Sequence, residues 1–116
     1  EGVATFKGFL AYKGRLMLTA DQMRRLMDAV RKSGAMLLVH AEDGEMNAAA
    51  ESLLVETGRT GPRWHPLAHP EEAEETAVRT VLDLARRTGC PLTIVHMSMA
   101  ESLELLKEAR QAAPGR

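Results

Sequence analysis

Three short apolar segments alternate with amphipathic helical segments, and this alternation constrains the fold more than any other feature. The apolar segments are residues 3–7, 35–40 and 91–96, and hydrophobic side chains occupy consecutive positions in each. Apolar residues at consecutive positions are typical of parallel strands that are covered on both faces. A strand–helix order repeated three times therefore predicts an α/β fold with a parallel sheet.

The segments between the strands carry start and stop signals of helices. Thr19 is expected to cap the first helix, with Gln22 as its reciprocal partner, and Gly34 to end it in a left-handed conformation. Ser98 and Glu101 predict a second capping box before the last helix. Helices are expected at residues 19–34, 45–56, 70–88 and 98–112, and the segment 58–70, rich in proline and glycine, is expected to form a loop.

The length of the chain limits the architecture. Three strand–helix units fit either a small doubly wound sheet or part of a (β/α)8 barrel. A complete barrel needs about 250 residues, so 116 residues can form only part of one. The chain starts at Glu1 without a methionine and stops at Arg116 just after a helix, so we expect a piece of a longer polypeptide.

Charge and cysteine content argue against several classes of function. Fifteen basic and sixteen acidic residues give a net charge of −1, without a basic run, which argues against a nucleic-acid partner. No apolar run approaches the roughly 20 residues that span a bilayer, so no membrane partner is expected. The single cysteine, Cys90, excludes an internal disulfide and favours a reducing cytoplasm.

A polar residue ends each of the three predicted strands: Lys7, His40 and His96. The carboxyl ends of parallel strands meet at one rim, where the sites of α/β folds assemble. A single histidine at such a place is more often structural. Two histidines and a lysine at equivalent places favour a site for zinc or a similar divalent ion, because imidazole is a preferred ligand of such ions.

Lys7 is the unusual member of this group, because burying an unpaired ammonium is costly. A desolvated lysine beside cations can react with CO₂, and the resulting carbamate has two oxygens that can bridge two metals. Alternatively, Lys7 extends to solvent or pairs with Glu42 or Asp43. The spacing alone leaves both interpretations open.

Other polar and reactive residues are expected to take no part in chemistry. His65 and His69 lie in the proline-rich loop and are expected at the surface without a ligand role. Trp64 is expected to cover apolar surface, and Cys90, at the opposite end of the strands, to be inert. Glu42 is expected either to orient a ligand or to face solvent.

Four segments together resemble the D-hydantoinase/dihydropyrimidinase family of cyclic amide hydrolases, within the metal-dependent amidohydrolase superfamily. They are "TFKGFLAYKG", "LLVHAEDGE", "TGRTGPRWHPLAHPEEAEETA" and "LTIVHMSMAESLELL", and they cover nearly the whole chain in the family's order. The spacing of Lys7, His40 and His96 fits as well. The resemblance implies that residues 1–116 are a fragment of the catalytic barrel, three consecutive βα units of a (β/α)8 barrel of the TIM type.

The resemblance also implies roles for individual residues. Lys7 would be the carbamylated lysine, derived from CO₂, that bridges two divalent metal ions, expected to be Zn²⁺. His40 and His96 would be ligands of one of these metals, and Tyr12 would donate a hydrogen bond to the substrate carbonyl as it becomes an oxyanion. The implied activity is hydrolysis of a small cyclic amide, a hydantoin or dihydropyrimidine, by a metal-bound hydroxide.

The chain also departs from the family pattern. The family's His-X-His pair would precede Glu1 and its general-base aspartate would follow Arg116, so the chain alone is expected to be inactive. Ala68-His69-Pro70 stands where many members have Ser-Arg-Pro. The open edges and exposed helix faces of a partial barrel predict that the chain forms a homo-oligomer or is poorly soluble.

Three alternatives to this function remain at the level of sequence. The chain could belong to a non-catalytic scaffold with the amidohydrolase fold. It could instead belong to another cyclic amidohydrolase, an allantoinase or a dihydroorotase. It could also be a small α/β domain whose polar strand ends are incidental.

Overall fold

A computed structural model describes residues 2–112. The predicted α/β fold is confirmed, because the three strands form one parallel sheet in the order β1–β2–β3. Glu1 and residues 113–116, which carry the expectation about the chain ends, lie outside the described part. The elements are β1 (Thr5–Phe9), α1 (Ala20–Ser33), β2 (Met36–His40), α2 (Gly44–Glu56), a 3-10 turn (Pro62–Trp64), α3 (His65–Ala68), α4 (Glu71–Thr88), β3 (Leu92–Ile94) and α5 (Ala100–Ala112).

The hydrophobic core lies between one face of the sheet and the helices α1 and α4. Leu37 and Val39 of β2 point into this core and are fully buried. Helix α5 packs against α4, and its Leu105 packs against the core. The core side chains contributed by the two helices are Met23, Met27 and Val30 of α1 and Ala77, Val78 and Val81 of α4.

The other face of the sheet is open within the described residues. Lys7, Leu38 and Thr93 are paired across the three strands and share this face. Lys7 and Thr93 are exposed, and Leu38 is half-buried. The expectation that the strands are covered on both faces is therefore wrong for this chain, because α1 and α4 cover one face only and β1 lies at the edge of the sheet.

The strands differ in position from the predicted segments. Strand β1 was expected at residues 3–7 but runs from Thr5 to Phe9, because its residues pair in register with Met36–His40 of β2. Lys7 therefore lies in the middle of β1 and not at its end. Strand β3 ends at Ile94, so His96 lies two residues beyond it.

Most of the helix starts and ends that the sequence predicts are present in the structure. Thr19 and Gln22 form the expected capping box, and Gly34 ends α1 with a φ of 74°. The expected loop 58–70 contains two short helical pieces, the 3-10 turn and α3. None of the helices in residues 2–112 is both long and apolar enough to cross a membrane.

Gly44, the first residue of α2, is predicted to be intolerant of a side chain. A Cβ there would lie 2.7 Å from Sδ of Met17 and 2.9 Å from the backbone oxygen of Leu10. The Gly44 N–H donates to that same oxygen at 3.0 Å, so the helix cannot move away without losing this bond. Gly44→Ala should lower the free energy of unfolding by about 1–3 kcal/mol, measured by urea denaturation.

Gly61→Ala is the matched control for this substitution. Gly61 has a φ of −76°, and a Cβ there would meet no atom within 4 Å. We expect the free energy of unfolding of this variant to lie within about 0.5 kcal/mol of the parent. Equal unfolding midpoints for the two variants would contradict the close packing of α2 on the loop after β1.

Candidate metal centre

An open cleft of about 370 Å³ lies at the rim where the carboxyl ends of the strands meet. The parallel register creates it, because Phe9 pairs with His40 and Val39 pairs with Ile94 at the ends of the three strands. The loops after the strands and the start of α4 complete its wall. Its polar lining residues are Tyr12, His40, Glu42, His65, His69, Glu71, Glu74, His96 and Ser98.

His40 and His96 meet in this cleft. His40 is the last residue of β2, and its side chain lies on the face opposite to the buried Val39. His96 follows β3 and reaches the same place from the neighbouring strand. Nδ1 of His40 and Nε2 of His96 are 2.9 Å apart, and the two ring centroids are separated by 4.3 Å.

Glu42 determines which nitrogen of His40 faces His96. Its Oε1 lies 2.9 Å from Nε2 of His40, and because a carboxylate only accepts hydrogen bonds, Nε2 must carry the proton. The Nδ1 of a neutral His40 then has its lone pair directed toward His96. The other oxygen, Oε2, accepts hydrogen bonds from Nδ2 of Asn47 at 2.9 Å and from Nδ1 of His69 at 2.6 Å.

The charges of this group follow from burial and hydrogen bonding. Burial lowers the pKa of His40, and the nearby Glu42 carboxylate offsets this only in part. Burial alone would raise the pKa of Glu42, but the hydrogen bonds from His69 and Asn47 outweigh it and hold that pKa below its ordinary value. At neutral pH His40 is therefore a neutral imidazole and Glu42 an ionised carboxylate.

The donor set fits a divalent cation. One ligand atom each from His40, Glu42 and His96 lie within 4.8 Å of one another. Because Glu42 is already bonded to Nε2 of His40, the donors that face each other are Nδ1 of His40 and Nε2 of His96, and imidazole is a preferred ligand of zinc. Zn–N bonds of about 2.0–2.1 Å place two tetrahedral ligands about 3.3–3.4 Å apart, so the histidine nitrogens need to separate by only a few tenths of an ångström.

Lys7 lies beside this group but not in the cleft. It shares the open face of the sheet with Phe9 and His40, and its Nζ lies 5.4 Å from the centroid of the Phe9 ring. Lys7 is exposed on the edge strand, as in the alternative in which its side chain extends to solvent. Partial desolvation nevertheless lowers the pKa of Lys7, and its positive charge contributes to the low pKa of His40.

Tyr12 adopts an unusual backbone conformation at the cleft. Its φ is 66°, and its carbonyl accepts hydrogen bonds from the backbone N–H groups of Arg15, Leu16 and Met17. A positive φ at a non-glycine residue is costly and persists where the surrounding structure enforces it. Tyr12 is 46% exposed, and its ring centroid lies 5.0 Å from that of His40.

Two residues of the loop 58–70, His69 and Trp64, make contacts that were not predicted from the sequence. His69 was expected at the surface without a ligand role; it is exposed, and it also bonds to Glu42, 27 positions earlier in the chain, and stacks on His65 with ring centroids 4.5 Å apart. Trp64 was expected to cover apolar surface, but the guanidinium groups of Arg59 and Arg63 lie 5.1 and 5.0 Å from its ring. No local pattern in the sequence signals either contact.

Comparison with known proteins gives a consistent result. No protein-family model matches the chain. Dihydropyrimidinase of Arabidopsis thaliana is 35% identical over 112 residues, which are 97% of this chain and 21% of that protein. D-hydantoinase of Rhizobium radiobacter is 34% identical over 109 residues, 94% of this chain and 24% of that protein.

A solved structure agrees with these relatives. The crystal structure of dihydropyrimidinase from Brevibacillus agri matches with a TM-score of 0.92 at 30% identity, over 96% of this chain and 24% of that one. The chain belongs to the D-hydantoinase/dihydropyrimidinase family. Its three βα units correspond to part of the barrel of hydantoinase structures, and it spans about a fifth to a quarter of the length of these relatives.

Measuring the pKa of His40 in this hydantoinase-family chain tests whether burial, Glu42 and His96 shift it as described. A proton NMR titration should give a midpoint below the ordinary histidine value of about 6.5. Glu42→Gln should lower the pKa of His40 further, because the carboxylate favours the imidazolium. His96→Ala should raise it, because a second imidazole nearby disfavours the charge. A midpoint at or above 6.5, or shifts of the opposite sign, would contradict the assignment.

The lowered pKa of His40 also makes the stability of the folded chain depend on pH. A folded-state pKa below the unfolded value means that the unfolded chain binds more protons between the two values. His40 therefore contributes stability that is present above about pH 6.5 and is lost as the pH falls through its folded pKa. In His40→Gln, urea unfolding should depend less on pH in this window.

Proposed function

We propose that the protein to which this chain belongs hydrolyses small cyclic amides, hydantoins or dihydropyrimidines, with the help of divalent metal ions. Residues 1–116 supply part of its catalytic barrel. The observation that carries the proposal is the pair of imidazole nitrogens 2.9 Å apart at the strand rim, with Glu42 fixing the tautomer of His40. The names of the relatives, a dihydropyrimidinase and a D-hydantoinase, supply the substrate class.

The metal ligands proposed from this chain are His40, His96 and Lys7. The two histidines would hold one zinc ion through Nδ1 of His40 and Nε2 of His96, while Glu42 keeps the His40 ring in place. Lys7, whose pKa is lowered by desolvation, is exposed and so accessible to CO₂. A carbamate formed on Lys7 would offer two oxygens as further ligands for divalent cations. When bound, such ions polarise a carbonyl and lower the pKa of water.

Tyr12 is the proposed hydrogen-bond donor to the carbonyl oxygen of the ring amide. Its position beside His40, on the wall of the cleft, supports this role. The rings of Phe9 and His40, with centroids 5.8 and 5.0 Å away, favour a defined placement of the Tyr12 ring, and a donor that is fixed before the reaction stabilises developing negative charge without reorganisation. The chain alone is proposed to be inactive, because it spans only about a fifth to a quarter of the length of these relatives.

Three further expectations remain predictions. Two divalent ions, rather than one, are expected in the whole protein, and a cytoplasmic location is expected from the single cysteine. Self-association of the chain is expected because, in residues 2–112, β1 and β3 each have an edge without a neighbouring strand. Large apolar side chains, including Val3, Phe6 and Met36, are also exposed.

Zinc binding by the chain tests the proposed ligands. His40→Ala and His96→Ala should each weaken Zn²⁺ binding by at least about 100-fold, since either change leaves too few protein ligands. His65→Ala is the matched control, because His65 lines the same cleft without belonging to the ligand group. Competition with a chromophoric chelator measures the dissociation constants. Equal losses in all three variants would contradict the assignment.

Hydrolysis by the complete protein tests the reaction. Tyr12→Phe should lower kcat for hydantoin or dihydrouracil by about 10²–10³-fold, because the transition state loses one oxyanion donor. Binding of zinc should be unchanged in this variant. A folded, zinc-loaded protein that hydrolyses neither compound would instead favour the non-catalytic scaffold.

A further inference from the structure

Glu74 is a buried carboxylate to which the proposed reaction assigns no role. It lies in the first turn of α4, is only 8% exposed, and belongs to the wall of the cleft. It precedes the core residues Val78 and Val81 on the helix by four and seven positions, so it occupies the apolar stripe of α4. A charge at such a place needs specific partners.

The partners of Glu74 are all in the segment that follows His96. Its oxygens accept the backbone N–H of Ser98 at 2.9 and 3.2 Å and the backbone N–H of Met99 at 2.9 Å. The Ser98 hydroxyl donates to Oε2 at 2.7 Å. The sequence predicted that Ser98 would form a capping box with Glu101, but the hydroxyl is committed to Glu74. The carboxylate of α4 thus binds the two residues that lead into the next helix, α5.

This segment needs to be held in place because of His96. His96 has a φ of 41°, which is costly for a residue with a side chain. On its N-terminal side, the Val95 N–H donates to the carbonyl of Val39 at 3.0 Å, so the sheet fixes the chain there. On its C-terminal side, the bonds from Ser98 and Met99 to Glu74 fix it again. The backbone of His96 therefore lies between two anchors only a few residues apart.

We propose that Glu74 is a positioning residue that holds the imidazole of His96 against that of His40. The consequence for affinity, that Glu74 also sets the strength of cation binding, rests on the proposed function. Glu74 does not touch the cation or the substrate in this proposal. It acts through the backbone of residues 96–99.

The ionisation of Glu74 is consistent with this role. Burial alone would raise its pKa, but the hydrogen bonds from Met99 and Ser98 outweigh it and hold the pKa below the ordinary value. The group is therefore a carboxylate at neutral pH, with both oxygens available as acceptors. A glutamine has the same shape but only one acceptor oxygen, and its NH₂ group repels the N–H donors.

The first measurement needs no metal. In the parent chain, NMR should show a cross-relaxation peak between ring protons of His96 and His40, whose centroids are 4.3 Å apart. Glu74→Gln should abolish this peak, while Glu72→Gln should retain it, because Glu72 lies in the same helical turn but is exposed. A peak of unchanged intensity in Glu74→Gln would overturn the proposal.

The second measurement separates positioning from general stability. Glu74→Gln should weaken Zn²⁺ binding about 10–100-fold, the range seen when groups that orient a metal ligand are removed. In a His96→Ala background the same change should cause no further loss, although its effect on the unfolding midpoint should persist. An equal loss of affinity in both backgrounds would mean that Glu74 acts through stability alone and would overturn the proposal.

The outcomes distinguish this inference from the proposed function. If the ring cross-peak disappears in Glu74→Gln but the parent chain binds no zinc, the positioning role stands and the proposed metal site fails. If Glu74→Gln is unfolded by circular dichroism, Glu74→Asp decides, because it keeps the charge but draws the carboxylate away from the backbone N–H groups of Ser98 and Met99. A weakened cross-peak in Glu74→Asp supports the role of Glu74, and an unchanged one overturns it.

Discussion

The burial of Leu37 and Val39 beneath α1 and α4 is the constraint on which the rest of the structure depends. Side chains alternate along a strand, so burying these two residues places His40 on the opposite face, at the carboxyl end of β2. The parallel register with β1 and β3 then brings Tyr12 and His96 to the same rim. The hydrophobic effect that forms the core thus also determines which side chains meet in the cleft.

A chain of hydrogen bonds fixes the charge and the tautomer of the side chains that lie together in the cleft. Asn47 and His69 stabilise the charge of Glu42, Glu42 fixes the tautomer of His40, and His40 presents Nδ1 to His96. Each contact comes from a different element or loop, so the arrangement exists only in the folded chain. Burial keeps His40 neutral, which is the state in which an imidazole can act as a ligand.

The sequence correctly predicted the features that depend on short sequence patterns and on the parallel direction of the strands. The capping box of Thr19, the end of α1 at Gly34 and the parallel order of the strands all follow from short-range signals. The position of Lys7 could not be predicted from short-range signals. It depends on the pairing register of β1 with β2 and on the open face of the sheet. The contact of Glu42 with His69 depends on the path of a loop. The role proposed for Glu74 has one indication in the sequence, which is that an acidic residue lies on the apolar stripe of α4.

X-ray absorption at the zinc edge of the zinc-loaded chain tests the central claim most directly, because it counts the imidazoles around the ion. We expect two histidine nitrogens at about 2.0–2.1 Å, with the multiple-scattering pattern of imidazole. His96→Ala should reduce the count to one. A shell of oxygen alone, or an unchanged spectrum in His96→Ala, would show that His40 and His96 do not share a cation.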